Sequence, residues 1–335
     1  MLPGGTPPDM FQELLSRPAF CPVNSVGTSH PEPTSQPTRQ VPDHFQCWAP
    51  QSLLGRSRWF DYYLAAPRTR GQSEGGAART EGTQRSSYFL RVVRQDLEEA
   101  RRWQAIDRLS RRLIAAEAFS HPQAVPVLDA ELDRSPFFVV EPFVPGLSLL
   151  QWRDAEKESC TVSRIIWTLR QVAELINAAH EHDRVHLGIS PQHLLIGSDG
   201  KVTLTGWCQT HQTQQRTWLP QETIDDIICQ APETAIGPYR AHSASDVYSW
   251  GVLAYWLMSE HWPFASETVE GLQTAHRQQL PAELQVRQPH CPGPLNQLVT
   301  QALAKNPLRR PGPKFLLDCL ISIEIDHLHD LRRVA

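Results

Sequence analysis

Four histidines lie close together in the middle of the chain, at His180, His182, His186 and His193. Imidazole nitrogens are common zinc ligands, so this spacing raises the question of a metal site. The cysteine or carboxylate partners that would complete such a site are absent at ligand spacing. We therefore expect these histidines to pack within the fold, and we expect no metal site.

The seven cysteines could also bind metal or form covalent bridges, but their pattern favours neither. They are odd in number, widely scattered and include no C-x-x-C pair, which is typical of free thiols in a reducing compartment. The first residues show no secretory signal, and the longest uncharged apolar run, 247–258, is too short to span a bilayer. We therefore expect a cytoplasmic protein.

Five arginines crowd one stretch of the chain, at Arg101, Arg102, Arg108, Arg111 and Arg112. A solvated helix face is the simplest explanation, and an acidic or phosphorylated partner is the alternative. The net charge of −4 at pH 7 gives no general reason to expect nucleic acid or an acidic membrane surface as a partner. Recruitment of either one through this helix is the least favoured hypothesis.

The elements that position these residues follow from composition and periodicity. Residues 1–44 are rich in Pro, Ser and Thr and are predicted to form a flexible arm, and the low-complexity stretch 67–87 is predicted to be a loop. The stretch 53–66 predicts a strand, a turn starting at Gly55 and a second strand, and 88–93 predicts another strand.

Helical spacing of apolar residues appears first between Asp96 and Phe119. The residues with this spacing are Trp103, Ile106, Leu109, Leu113 and Ile114. A second helix is predicted at 163–182, a β-hairpin with an Asp-Gly turn at 194–205, and mostly helices after Asp246. Strands with one helix, followed by mostly helices, predict an α+β fold in two lobes.

The segment VHLGISPQHLLIGSDGKVTLTGWC at 185–208 resembles a known family. It is similar to the catalytic loop, hairpin and metal-binding tripeptide of eukaryotic-like Ser/Thr protein kinases, H-R-D-L-K-P-x-N-L-L and D-F-G. Ala231-Pro232-Glu233 resembles the A-P-E that closes the activation segment, and the segments 243–264 and 303–311 resemble two later motifs in the same order.

The resemblance covers about residues 45–325 and implies a bilobal protein kinase-like fold. A small β-rich N-lobe is expected at about 45–143, a larger helical C-lobe at about 144–325, and a tail at 326–335. It further implies structural roles for four residues: His186 packing the catalytic loop, Asp246 tying that loop to a core helix, and Glu233 with Arg310 as a buried ion pair.

The positions that carry the family's chemistry hold other residue types here. Gly188 stands at the position of the catalytic Asp, Ser190 at that of the loop Lys, and His193 at that of the metal-binding Asn. Gly206-Trp207-Cys208 stands in place of Asp-Phe-Gly. Magnesium prefers hard oxygen ligands, and neither imidazole nor glycine provides one.

The nucleotide-binding positions also depart from the family's pattern. The residues at these positions are Gly55, Tyr62, Phe89 and Arg91. Gly55 is the one glycine kept of three, Arg91 stands in place of a lysine, and the two aromatic residues are expected to fill the pocket. The helix position that carries a partnering Glu in the family falls near Arg112, which is expected to face Arg91 with like charge; Glu117 is the nearest acidic substitute.

These departures lead us to expect a catalytically inactive kinase-like domain and not an enzyme. Its role would be that of a scaffold or allosteric regulator of a protein partner such as an active kinase, with weak or no ATP binding and no metal. The alternative is an atypical Ser/Thr protein kinase or other ATP-dependent phosphotransferase with ATP and magnesium as cofactors. In that case Asp199, or Asp225 and Asp226, would have to stand in for the missing metal ligands.

Overall fold

The computed structural model describes residues 45, 47–68, 87–156, 160–207, 224–235, 242–288 and 290–334. The predicted arm at 1–44, most of the predicted loop at 67–87 and Cys208 lie outside the described residues.

The N-lobe contains a five-stranded antiparallel sheet with the strand order β1-β2-β3-β5-β4. Its strands are β1 (Trp48–Arg56), β2 (Phe60–Pro67), β3 (Tyr88–Val93), β4 (Asp129–Glu131) and β5 (Phe138–Pro142). Gly55 lies inside β1 opposite Tyr62, so the expectation of a turn starting at this glycine is wrong. The register shifts between Leu53 and Gly55, and a glycine accommodates such an irregularity within a strand.

Alternation of side chains along the strands gives this sheet two different faces. One face carries Phe60, Tyr62 and Phe89 and packs against helix α1 (Glu99–Ala118). The opposite face buries Leu90 and Val92 together with apolar side chains of the neighbouring strands. The first face, which packs against α1, is called the inner face of the sheet below.

Helix α1 lies within the stretch 96–119 for which apolar spacing predicted a helix. Its buried residues are Ala105, Ile106, Leu109, Arg112 and Ala115. Trp103 and Ile114, which contributed to the apolar spacing, are 62% and 55% exposed. The buried face includes an arginine, which hydrophobic periodicity does not count.

The C-lobe consists of helices and one small sheet. The helices are α2 (Leu149–Ala155), α3 (Val162–Glu181), α4 (Ile224–Ile227), α5 (Ser243–Ser259), α6 (Val269–Gln278), α7 (Leu284–Arg287), α8 (Gly293–Ala302) and α9 (Pro313–Val334). The sheet pairs β6 (Leu147–Ser148), β7 (Leu194–Ile196) and β8 (Val202–Leu204).

Helix α5 forms the centre of the C-lobe and is buried from Ser245 to Ser259. Trp250 on this helix donates a hydrogen bond from its indole nitrogen to the carbonyl of Leu169 on α3, at 3.0 Å. A β-rich lobe followed by a helical lobe confirms the predicted α+β fold. Among the described residues, no helix is long and apolar enough to cross a membrane.

A buried ion pair joins the segment before α5 to the segment before α9. The Arg310 guanidinium donates to both carboxylate oxygens of Glu233, at 2.7 and 2.8 Å, and the Ser245 hydroxyl also donates to Glu233, at 2.7 Å. Burial alone would raise the pKa of Glu233, but the bonds from Arg310 outweigh it and hold the pKa below its usual value. The pair therefore depends on both partners being present.

Substitution of Arg310 by methionine should lower the free energy of unfolding by about 3–5 kcal/mol, because it leaves Glu233 buried without its charged partner. Urea denaturation followed by circular dichroism measures this change. Arg134→Met is the matched control: Arg134 pairs with Glu131 but is 76% exposed, so its loss should cost about 0–1 kcal/mol. Equal losses in the two variants would contradict the assignment.

The same pair predicts a pH dependence. The pKa of Glu233 is lowered in the folded state, so its contribution to stability is fully present above its unfolded pKa, about 4.3, and is lost as the pH falls through the folded value. As the pH is lowered from 5 to 3, about the range of that titration, the free energy of unfolding should therefore fall less in Arg310→Met than in the parent protein.

Candidate active site

The loop at 185–193 is held by one buried carboxylate. Asp246 on α5 accepts hydrogen bonds from the backbone N–H of His186, at 2.8 Å, and of Leu187, at 2.7 Å, and lies 2.8 Å from the His180 ring nitrogen. Leu187 has a φ of +58°, in the left-handed region that non-glycine residues rarely adopt. The carboxylate fixes this unfavourable backbone turn and so sets the direction of the residues that follow.

His186 is buried and neutral. Its ring nitrogen Nε2 donates to the carbonyl of Thr205, at 2.9 Å, and its Nδ1 accepts from the N–H of Gly188, at 3.2 Å. Burial lowers the pKa of His186 to about 4, which the nearby positive charge of Arg112 reinforces and the negative charge of Asp246 opposes. The histidine therefore ties the loop to the strand end at Thr205 without carrying charge at neutral pH.

His193 lies against Gly206. Its Nδ1 donates to the carbonyl of Gly188, at 2.6 Å, with the Ser190 hydroxyl 3.3 Å away. A Cβ at Gly206 would lie only 2.6 Å from His193 Cδ2, and the glycine has a φ of +81°. The His193 imidazole thus occupies the space that a side chain at position 206 would need. The histidine fits there because residue 206 is a glycine.

This arrangement does not fit a magnesium ion at the positions the family uses. Gly206 has no side-chain oxygen, and the ring of His193 is engaged with the loop backbone. Within the part of the chain that the structure describes, no group of three His, Cys, Asp or Glu side chains is placed to hold a metal ion.

Trp207, which follows Gly206 in the chain, is buried. Its ring centre lies 4.7 Å from that of His186 and 4.8 Å from that of Phe119, at the end of α1. Its indole nitrogen donates to the carbonyl of Leu204, at 3.0 Å. Trp207 therefore connects the end of α1 to the loop.

A pocket opens beside this loop and is lined by three separate parts of the C-lobe. Its lining residues are Leu187, Gly188, Ile189, Ser190, Gln192, His193, Asp225, Cys229, Gln230 and Ser249. It is small, with a cavity volume of about 60 Å³. The loop, the segment around α4 and helix α5 thus meet at one cavity, with Ser190, His193 and Asp225 among its lining residues.

Asp225 is the acidic residue of this pocket. It lies on α4, is half-buried, and its backbone carbonyl accepts a hydrogen bond from Gln192 of the loop, at 3.3 Å. Asp199 is not part of the site: it lies in the exposed turn between β7 and β8 and pairs with Lys201. The side chain of Asp226 lies outside the described residues.

The nucleotide-binding positions lie together on the inner face of the N-lobe sheet. The rings of Tyr62 and Phe89 are stacked with centres 5.5 Å apart, and both side chains are buried. The guanidinium of Arg91 lies 5.3 Å from the Tyr62 ring centre and 5.9 Å from that of Phe89. Gly55 is paired with Tyr62 across the strands, so all four positions are adjacent.

The sequence led us to expect that Arg91 and Arg112 face each other with like charge and no acidic partner. The structure differs from this expectation. Glu141 on β5 lies between them: its carboxylate accepts a bond from Arg112 Nε and lies 3.7 Å from Arg91 Nη2. Arg112 is 1% exposed, so the expectation of a solvated arginine face is wrong at this position. Glu117, the acidic substitute considered from the sequence, is exposed.

Glu141 was missed because sequence reasoning searched only helix α1 for the acidic partner. The signal was a charged residue inside the apolar strand FVVEP. The two terminal nitrogens of Arg112, Nη1 and Nη2, are buried and have no hydrogen-bond partner among the described residues. The site therefore contains a buried positive group with unused donors.

Comparison with curated proteins finds bacterial protein kinases. "Probable serine/threonine-protein kinase PknB" of Lactococcus lactis is 26% identical over 208 residues, covering 60% of this chain and 32% of that protein. Serine/threonine-protein kinase pkn3 of Myxococcus xanthus is 26% identical over 235 residues, covering 67% and 42%. PrkC of Bacillus subtilis is 24% identical over 235 residues, covering 68% and 35%. The chain spans roughly a third to two-fifths of the length of these relatives.

These relatives correct the expectation that the chain is not an enzyme. Each is named as a serine/threonine-protein kinase, which points to an enzyme. The expectation of inactivity rested only on the residue types at motif positions such as Gly188 and Gly206. It gave little weight to a carboxylate outside those motifs, and the fold brings Asp225 to the same pocket as Gly188.

The family itself is shown by a match over most of the chain. Residues 74–320 match the model of the family described as "Protein tyrosine and serine/threonine kinase". Proteins of this family use ATP with magnesium. The β-rich N-lobe and the helical C-lobe agree with that match. The chain therefore belongs to the protein tyrosine and serine/threonine kinase family.

Proposed function

We propose that this chain is an atypical Ser/Thr protein kinase, an ATP-dependent phosphotransferase whose catalytic residues are rearranged. The observation that carries the proposal is the presence of Asp225 in one pocket with Gly188, Ser190 and His193. Gly188 has no side chain at the family's catalytic position. In the proposal, the carboxylate comes instead from Asp225 on α4, which lines the same pocket.

The acceptor hydroxyl binds in this pocket, and the Asp225 carboxylate takes its proton. As the proton leaves, the acceptor oxygen forms a bond to the terminal phosphorus of ATP, and the bond from that phosphorus to the ADP oxygen breaks. ADP leaves with the bonding electrons, and the acceptor becomes a phosphate ester. A positioned general base contributes about 10²–10⁴ in rate.

The phosphate charge requires positive groups nearby, and the arginines of the N-lobe provide them. Arg112 carries two buried nitrogens that have no partner in the described part of the chain, and an unpaired buried donor is costly. Guanidinium groups suit phosphate oxygens in geometry and charge.

Entry of the nucleotide has a structural consequence. The stacked rings of Tyr62 and Phe89 cover the inner face of the sheet, where the family's nucleotide-binding positions lie. These two side chains must turn away from that face when ATP binds. Binding therefore includes a change in side-chain conformation, and we expect it to be slower than diffusion alone would allow.

Substitution of Asp225 by asparagine should lower phosphate transfer by about 10²–10⁴-fold, because the amide cannot accept the hydroxyl proton. The measurement is transfer of radiolabelled phosphate from ATP to a general protein acceptor such as casein. Asp199→Asn is the matched control, since Asp199 lies in an exposed turn away from the pocket. Absence of transfer by the parent protein, or equal rates in parent and Asp225→Asn, would contradict the proposal.

ATP should stabilise the protein in the presence of a metal chelator, because arginine charge acts in place of metal charge. At about 100 times its Kd, ATP adds roughly 2.7 kcal/mol, which is a rise of a few degrees in Tm. Thermal-shift titrations of the parent, Arg112→Met and Arg101→Met measure the effect, each variant against its own Tm without ATP. Arg101 is an exposed residue of the same helix.

The expected result is a shift in the parent and in Arg101→Met and none in Arg112→Met. A shift that appears only with magnesium, or one that survives Arg112→Met, would show that the arginine does not carry this role.

A further inference from the structure

Gln230 is a buried polar residue of the pocket, and the proposed phosphate transfer assigns it no role. It precedes Ala231-Pro232-Glu233 directly, is 8% exposed and lines the same cavity as Gly188 and Asp225. Both polar atoms of its side chain, Nε2 and Oε1, are buried and have no hydrogen-bond partner among the described residues. Gln230 therefore carries, beside the pocket, one unused donor and one unused acceptor on a single planar group.

The neighbouring groups are engaged with other atoms. Ser249 donates its hydroxyl hydrogen to the carbonyl of Cys229, at 2.7 Å. His193 Nδ1 donates to the carbonyl of Gly188, at 2.6 Å, and the backbone N–H of Gln230 itself donates to the carbonyl of Ile227, at 2.8 Å. The side-chain amide of Gln230, in contrast, makes no hydrogen bond with the described residues.

A leucine of similar size would fill the same space without burying an unpaired polar group. Buried polar groups in native proteins are almost always hydrogen-bonded, and each one left unpaired lowers stability. An amide that makes neither of its bonds is therefore unfavourable in the free protein. A ligand that supplies both bonds removes the cost, and the unpaired amide then contributes to selectivity for that ligand.

The chemistry of the amide limits what that ligand can be. To pair with both atoms at once, a ligand must present an N–H and a C=O side by side on one edge. A primary carboxamide does so, whereas a trans peptide bond directs its N–H and C=O in opposite directions. A carboxylate offers only acceptors and an ammonium group only donors.

We propose that Gln230 recognises a primary carboxamide, the side chain of Asn or Gln, on the acceptor. Its Nε2 donates to the carboxamide oxygen of the ligand, and its Oε1 accepts from the carboxamide N–H. Since Asp225 lines the same pocket, the acceptor hydroxyl lies close to this carboxamide in the bound substrate. Only that last step rests on the proposed function, because recognition of the carboxamide requires no phosphate transfer.

The test uses small probes of one backbone and different side chains, without nucleotide. N-acetyl-asparagine N-methylamide carries one primary carboxamide, and the corresponding aspartate and leucine derivatives carry none. Proton–nitrogen correlation spectra follow the side-chain NH₂ resonance of Gln230, which is assigned by its absence in Gln230→Leu. We expect the asparagine probe to shift this resonance and to bind roughly tenfold or more tightly than the other two.

Gln230→Leu separates recognition from a structural role. If the amide is kept for binding, this variant has a Tm at or above that of the parent and loses the preference for the asparagine probe. Gln301→Leu, at an exposed position of α8, is the control and should bind the probes as the parent does. Equal binding of the three probes by the parent, or a lower Tm for Gln230→Leu, would overturn the proposal.

The binding result and the transfer result remain separate. Preference for the asparagine probe in a protein that transfers no phosphate would support the role of Gln230 and contradict the proposed function. Phosphate transfer with no preference among the probes would support the function and contradict this role.

Discussion

The buried carboxylate of Asp246 is the interaction on which the rest of the site depends. It lies on α5, the central helix of the C-lobe, and it holds Leu187 in a backbone conformation that has little stability of its own. The loop that follows provides most of the lining of the pocket. Because α5 is buried along nearly its whole length, it cannot move without opening the core, and the loop is fixed with it.

The charges of the N-lobe follow from a second constraint. Two buried or half-buried arginines, Arg91 and Arg112, share the single carboxylate of Glu141. The two guanidinium groups and the Glu141 carboxylate therefore lie close together on the inner face of the sheet. His186 adds no charge near neutral pH, since burial lowers its pKa to about 4.

Local sequence patterns were enough to predict the order of strands and helices and the two-lobed α+β fold. They could not predict which face of α1 is buried, because Arg112 belongs to that face and its partner Glu141 lies on a strand distant in sequence. The pairing of His193 with Gly206 is also a contact between separate elements. Gln230 had no recognisable pattern at all, since its importance comes from bonds it does not make.

In the proposed mechanism, a carboxylate on α4 does the work of one missing at position 188. The most direct test is the rate of phosphate transfer by the double variant Gly188→Asp/Asp225→Asn, compared with Asp225→Asn alone. An aspartate at 188 should restore transfer by about tenfold or more over Asp225→Asn, since a base again borders the pocket. Equal rates in the two variants, with both proteins folded, would contradict it.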